Sequence, residues 1–218
     1  MPEPITMITV GGGMMGLVTH LARRYFEIAK EVLDVVLGFV ALLFSLPILL
    51  FCALLIKLSS KGPVFFTQLR AGKGGKLFRM YKLRTMYTDA EHCSGAVWAG
   101  EGDPRIVPAC RWMRRSHMDE LPQLINVIKG EMSLVGPRPE RPEILEQLEK
   151  KYPNIRQRLA VRPGITGLAQ VRNGYDTTVE AFRNKLEADL EYIENRRWGT
   201  ELRILVATVT KLNDRSAR

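Results

Sequence analysis

The chain has 218 residues, enough for one domain with a core plus an accessory element, and its 46% hydrophobic and 25% charged residues exclude extensive disorder. A formal charge of +9 points to anionic partners: nucleic acid, phosphorylated substrates or the acidic face of a membrane. Three scattered cysteines (Cys52, Cys93, Cys110) without a Cys-x-x-Cys pair, and three histidines without ligand spacing, argue against zinc and fit a reducing, cytosol-facing location.

Residues 1–22 read as a poorly structured tail. They contain Gly11, Gly13 and Gly16 in a G-x-G-x-x-G pattern after the strand-like Ile5–Val10. A dinucleotide site needs a βαβ unit around such glycines, and here a membrane segment follows instead. From Val35 to Ile56 no residue is charged, which is enough chain to cross a hydrocarbon core. A cleavable signal peptide fits poorly, because the run starts late and Asp34 adjoins it. Pro47 sits mid-run, where it removes a backbone donor and bends or breaks a helix. Basic residues flank both ends: Arg23, Arg24 and Lys30 before, Lys57 and Lys61 after. If both flanks obey the positive-inside rule, the segment enters, turns near Pro47 and leaves on the same face. Re-entry is therefore favoured over a kinked full span, and a buried soluble helix is the least favoured reading.

Beyond the apolar run, Pro63–Gln68 is strand-like, Arg70–Lys76 supplies turn glycines and Leu77–Arg84 returns as a second strand. This hairpin carries Lys73, Lys76, Arg79, Lys82 and Arg84, most of them expected on a solvated or headgroup-facing edge. Asp89–Pro108 reads as a loop. A helix is expected around Arg111–Ser116, and the next is bracketed by Pro122 in its first turn and Gly130 after its end. Amphipathic stretches follow at about Pro142–Lys151, Val179–Arg197 and Glu201–Leu212. In the middle one, Phe182, Leu186, Leu190 and Ile193 recur at helical spacing, and core packing is favoured over membrane docking. The fold class expected is α+β and mostly helical: a re-entrant helix-break-helix at 23–58, then a cytosolic catalytic domain at 59–218 with a small β-hairpin and amphipathic helices.

Candidate chemistry concentrates in Arg114-Arg115-Ser116-His117-Met118-Asp119-Glu120. Taken alone, Ser116-x-x-Asp119 reads as a capping box, since acids are favourable at a helix N-terminus. The functional reading makes one carboxylate a nucleophile or base and lets its neighbour bind a cation such as Mg²⁺, with the helix dipole and arginines keeping both ionised. Nearby, Gly136-Pro137-Arg138-Pro139 holds an arginine on a stiffened backbone, as a phosphate clamp requires, although a surface turn reads the same way. Val161–Val171 is a turn whose amides could cradle a phosphate or simply reverse the chain.

The apolar anchor followed in order by GPVFFTQLRAGKGGKLFRMYKLRTM, DPRI, RRSHMDELPQLINVIKGEMSLVGPRP and VRPGITGLAQV resembles the bacterial sugar transferase family, the monotopic polyprenyl-phosphate phosphoglycosyl transferases. The likeness runs from about Lys30 to the C-terminus and looks like the minimal catalytic form. It implies a ping-pong transfer of sugar-1-phosphate from a UDP-sugar to polyprenyl (undecaprenyl) phosphate. Asp119 would form a phosphosugar-aspartyl intermediate and release UMP, and Glu120, with Asp119, would bind Mg²⁺. Lys82, Arg114 and Arg138 match positions that hold phosphates, and Pro47 matches the membrane helix break. The implied setting is the cytosolic face of the bacterial inner membrane. There the product would start a lipid-linked glycan for exopolysaccharide, capsule, O-antigen or glycoprotein synthesis and pass to downstream glycosyltransferases. Two rivals from other classes are a membrane-anchored nucleic-acid binder, which lacks a recognition module with stacking aromatics, and a non-catalytic scaffold, which has no need of the acid pair. No nucleic-acid partner is expected.

Overall fold

The computed structural model describes residues 14–88, 103–173 and 182–212. The chain opens with helix α1, Met14–Ser59, whose 46 residues would span about 69 Å if straight. It begins inside the stretch expected to be a tail, whereas Gly11 and Gly13 of the glycine pattern lie outside the described residues. Pro47 falls within the helix, which continues unbroken through it, so no interruption separates two helical halves. The reason is local. One proline deletes a single backbone donor, and good helix formers on both sides keep the remaining bonds.

The inward face of α1 is one stripe: Phe26, Lys30, Asp34, Gly38, Ser45, Cys52 and Ile56 are buried, at four- and seven-residue spacing. Its outward face exposes Val36, Phe39, Val40, Leu43, Phe44, Leu50, Phe51, Leu54 and Leu58. Only 11% of its most apolar window is buried, unlike the core helix of a soluble protein. By length and composition α1 can cross a membrane.

Strands β1 (Phe65–Ala71) and β2 (Leu77–Leu83) form the expected antiparallel hairpin, with Phe65 opposite Leu83 and Ala71 opposite Leu77. The free edge of β2 is finished by a side chain. Asn126, fully buried on helix α3 (Gln123–Ile128), accepts from the Tyr81 amide at 3.0 Å and donates to the Arg79 carbonyl at 2.8 Å. Its amide also donates to Glu131 at 2.7 Å. The α3 helix ends where expected, with Gly130 at φ +73°, a left-handed conformation that glycine adopts without strain.

A short parallel pair that the sequence reading did not anticipate joins β3 (Ser133–Val135) to β4 (Gly164–Thr166). Cβ atoms at Gly136, Gly164 or Gly167 would collide with the facing backbone, so these glycines serve close strand approach. Residues 161–171 are therefore not one turn: β4 is followed by helix α5, Leu168–Asn173. The Gly164 amide donates to the Pro137 carbonyl at 2.9 Å, so it is engaged within the fold and not held open for a phosphate.

Helices α4 (Pro142–Lys151) and α6 (Phe182–Glu194) enclose an apolar cluster, where Ile144, Leu145, Leu148, Ile155, Phe182 and Leu186 pack together. Core packing thus explains the periodicity of α6. Helix α7, Trp198–Leu212, begins three residues earlier than expected and packs Ile204 against Val135 and Tyr192.

Candidate active site

The acid pair sits on a tight backbone device. After α2 (Arg111–Arg115), His117 adopts φ 56°, the only left-handed non-glycine conformation among the described residues. Such a residue costs of order 1 kcal/mol and has to be held by its surroundings. It turns the chain into a three-residue 3-10 helix, Met118–Glu120, closed by the Glu120 amide on the His117 carbonyl at 3.1 Å. Ser116 does not cap this turn: its hydroxyl donates to the Trp112 carbonyl at 2.8 Å and makes a longer approach to Met113, so the capping-box reading fails.

Both carboxylates are buried, but their electrostatics differ. Glu120 accepts from Lys82 Nζ at 2.8 Å on Oε1, and Arg138 forks onto it, with Nη2 on Oε1 at 2.5 Å and Nη1 on Oε2 at 3.1 Å. These two cations overcome the cost of burial and hold Glu120 well below the usual carboxylate range. Burial, reinforced by the neighbouring Glu120 charge, pushes Asp119 up to about 6, while Lys82, Arg114 and Arg138 oppose the rise. The sequence reading expects the helix dipole and the arginines to keep both acids ionised; at Asp119 burial outweighs them and raises the group towards neutrality without keeping it protonated there. The pair lies in its own 3-10 turn ahead of α3, and desolvation dominates there. Near neutral pH Glu120 is fully ionised and Asp119 largely so. Burial also lowers the Lys82 ammonium, with Glu120 countering the effect, and it lowers the His117 imidazole.

The motif around Lys82 divides its labour. Lys82 meets Glu120, and Leu83 fills the core with Cys52 and Met113. Buried Arg84 donates to the Ser60 carbonyl at 3.1 Å and also to that of Lys61, closing the end of α1. Thr85 Oγ1 accepts from Arg114 Nη1 at 3.3 Å. Arg114 thus stands within electrostatic reach of Asp119 without pairing to it directly. In the DPRI segment Asp103 is gripped by Arg105 at 2.6–3.1 Å, which holds the aspartate at about 2.

Arg138 is positioned from behind. Its own carbonyl accepts from Arg158 Nη2 at 2.9 Å, and the Pro139 carbonyl accepts from Arg70 Nη1 at 3.0 Å. Arg158 is in turn paired with buried Asp189 at 2.6 Å. The sequence reading singled out Asp119, Glu120, Lys82, Arg114 and Arg138, and the fold brings all five into one electrostatic neighbourhood. Pro47 lies elsewhere, on α1. Sequence reasoning missed Asn126, Arg84, Thr85 and Arg158, whose partners lie 20 to 47 residues away. Position within the recognised motifs marked Arg84 and Thr85; nothing local marked Arg158.

What could a cation find here? Glu120 keeps one carboxylate lone pair on Oε2, and Asp119 adds hard oxygens beside it. Among the described residues no group of three or more His, Cys, Asp or Glu side chains forms a metal cage.

The sequence profile of bacterial sugar transferases matches residues 25–215, and this decides the family. The chain belongs to the bacterial sugar transferase family. Curated relatives align with most of this chain. The UDP-glucose:undecaprenyl-phosphate glucose-1-phosphate transferase of Caulobacter vibrioides is 42% identical over 194 residues, 88% of this chain and 72% of that protein. An exopolysaccharide production protein of Rhizobium leguminosarum bv. phaseoli is 42% identical over 84% of this chain and 94% of its own length. The UDP-N-acetylgalactosamine-undecaprenyl-phosphate N-acetylgalactosaminephosphotransferase of Aeromonas hydrophila is 40% identical over 87% of this chain, which spans only 44% of that relative. Within the sugar transferase family, then, similar identity accompanies names that specify different sugars.

Proposed function

We propose that this protein transfers a sugar-1-phosphate from a UDP-sugar to undecaprenyl phosphate, with Asp119 as the covalent nucleophile. The observation that carries the reading is the contrast within the acid pair. Glu120 is tied up by Lys82 and Arg138, whereas Asp119 is buried beside those cations without being paired to them, and it ionises near neutrality.

In the first half-reaction an Asp119 carboxylate oxygen forms a bond to the β-phosphorus of the donor. The bond from that phosphorus to the bridging oxygen breaks, and its electron pair leaves with UMP. In the second, an oxygen of polyprenyl phosphate bonds to the same phosphorus and the Asp119 carboxylate departs with its electrons restored. Lys82 and Arg138 neutralise the diphosphate as it enters, passing from the Glu120 carboxylate to phosphate oxygens. Arg114 adds a third positive charge near the reacting atoms. Glu120 and Asp119 are the residues that would hold Mg²⁺, an ion suited to one or two carboxylates together with water and phosphate oxygens. When bound, that ion supplies further neutralisation of the diphosphate.

The same reading places the catalytic domain on the cytosolic face of a bacterial inner membrane, with both ends of α1 held at that face. Its support is that the domain grips both ends of the apolar run: Asp34 is bonded to β3, and Arg84 closes the other end. The product would start a lipid-linked glycan for downstream glycosyltransferases.

The test is UMP release by detergent-solubilised protein with undecaprenyl phosphate and Mg²⁺, across a panel of UDP-sugars that includes UDP-glucose and UDP-N-acetylgalactosamine. We expect one donor to dominate. Asp119→Asn should lose turnover by at least about 10³-fold and trap no labelled protein, as removal of a nucleophile does elsewhere. Glu120→Gln should lower turnover while retaining the trap. Near-normal turnover in Asp119→Asn would refute the nucleophile.

A further inference from the structure

The flanking charges of α1 are not all headgroup contacts. Lys30 and Asp34 are each only 5% exposed and sit on the inward stripe. Lys30 Nζ lies 3.2 Å from Asp34 Oδ2 and 2.9 Å from Glu201 Oε2 of α7. Two buried carboxylates facing one ammonium leave a net negative charge, which is costly unless further donors satisfy it. Those donors come from β3. The Ser133 hydroxyl lies 2.7 Å from Asp34 Oδ2 and 2.8 Å from the Val135 carbonyl, donating to one at a time, and the Leu134 amide approaches Asp34 Oδ1 at 3.3 Å. On the Glu201 side, the Tyr192 hydroxyl lies 2.8 Å from Glu201 Oε1 and 2.9 Å from the Val135 carbonyl, donating to one at a time.

From Ser133 the chain runs directly to the phosphate clamp, and it is fastened at every step. Ser133 and Leu134 are held by Asp34, and Val135 by Tyr192. The Gly136 amide donates to the Thr166 carbonyl at 2.8 Å, the Pro137 carbonyl accepts from Gly164, and Arg158 holds the Arg138 carbonyl. Such a segment has little freedom left, so a displacement at its first residue is carried to its last.

We infer that Asp34, Lys30 and Glu201 form a buried ion cluster through which the membrane helix sets the position of Arg138 at the active site. Asp34 and Ser133 are thus positioning residues for donor binding; they act through Arg138 and touch no substrate. The inference rests on the phosphate role proposed above for Arg138.

A double-mutant cycle in the full-length, detergent-solubilised protein tests it, with wild-type transfer as the control for the proposed activity. In the otherwise wild-type protein, Asp34→Asn should lower kcat/KM for the donor by about tenfold, because misplacing a substrate-holding group costs this much or more. Ser133→Ala, a milder change that leaves every charge in place, should lower it less. In an Arg138→Ala background both losses should shrink below about twofold, since residues acting through one another are not additive. Thermal melts choose a temperature at which all variants are folded. Additive losses, or no loss with either variant, would overturn the inference while leaving the transferase reading intact. Undiminished turnover in Arg138→Ala alone would overturn the phosphate role of that arginine, and this inference with it.

Discussion

Two adjacent acids of similar chemistry acquire opposite properties from what surrounds each side chain. Glu120 gains two cationic partners and Asp119 gains burial, so one titrates far below neutrality and the other at about 6. The consequence for pH follows in sign. As the proposed nucleophile Asp119 would work only when ionised, so lowering the pH through 6 would remove the reactive form. Below that point kcat/KM should fall about tenfold per pH unit, and above it a plateau should extend to at least pH 7.5. The check is a profile of donor turnover between pH 4.5 and 7.5, on protein shown to remain folded across the range. A profile flat down to pH 4.5 would mean that Asp119 is ionised throughout and would remove burial as its controlling influence. The acid pair itself was legible in the sequence, because Asp-Glu behind two arginines is a dense local pattern. Its division into paired and unpaired members was not, since Lys82 and Arg138 approach from 38 residues upstream and 18 downstream.

Among the elements, those defined by nearest neighbours in sequence emerged where expected. The hairpin formed from two apolar runs around turn glycines, and α3 stopped at Gly130. The β3–β4 pair did not announce itself. Three-residue strands carry too little alternation to be distinguished from turns, and their pairing is parallel and 31 residues apart. Its glycines looked like loop punctuation yet act as contact surfaces. A methyl group on Gly164 would meet the backbone of Gly136 and Thr166, where no flexible side chain can yield. Gly164→Ala should therefore destabilise the protein by about 2–4 kcal/mol, since overpacking against fixed backbone exceeds the usual core penalty. In a protein of this size that corresponds to a melting temperature lower by several degrees. An unchanged melting curve would mean that β3 and β4 can separate freely, and would weaken the case that this pair supports Arg138.

For the molecule as a whole, the arrangement of α1 governs how the protein meets a membrane. An outward apolar face and an inward stripe held by the same domain at both ends favour a helix whose two ends stay on one side of the membrane. Single cysteines introduced at exposed Val32 and Leu58, in a protein otherwise without cysteine, should react alike with an impermeant thiol reagent in oriented inner-membrane vesicles. Labelling from opposite faces would refute this arrangement and favour a full span. The sequence made this question visible through its two basic flanks, but it misassigned one contributor. Lys30, counted there among the basic flanks of the positive-inside rule, is buried against Asp34 and Glu201. No periodicity distinguishes a lysine that meets lipid from one that meets a carboxylate far along the chain.

That burial also limits how such a protein can be recombined. An anchor joined to its enzyme only by a covalent link can be exchanged for another of similar length and greasiness. Here a foreign helix without a matching lysine and aspartate would strand Glu201 as an uncompensated buried charge and remove the acceptor of the Leu134 amide, a loss of about 3–5 kcal/mol for a broken buried pair. The transferable module is consequently larger than the apolar segment: α1, β3 and α7 have to be inherited together, whether by a gene-shuffling experiment or by descent.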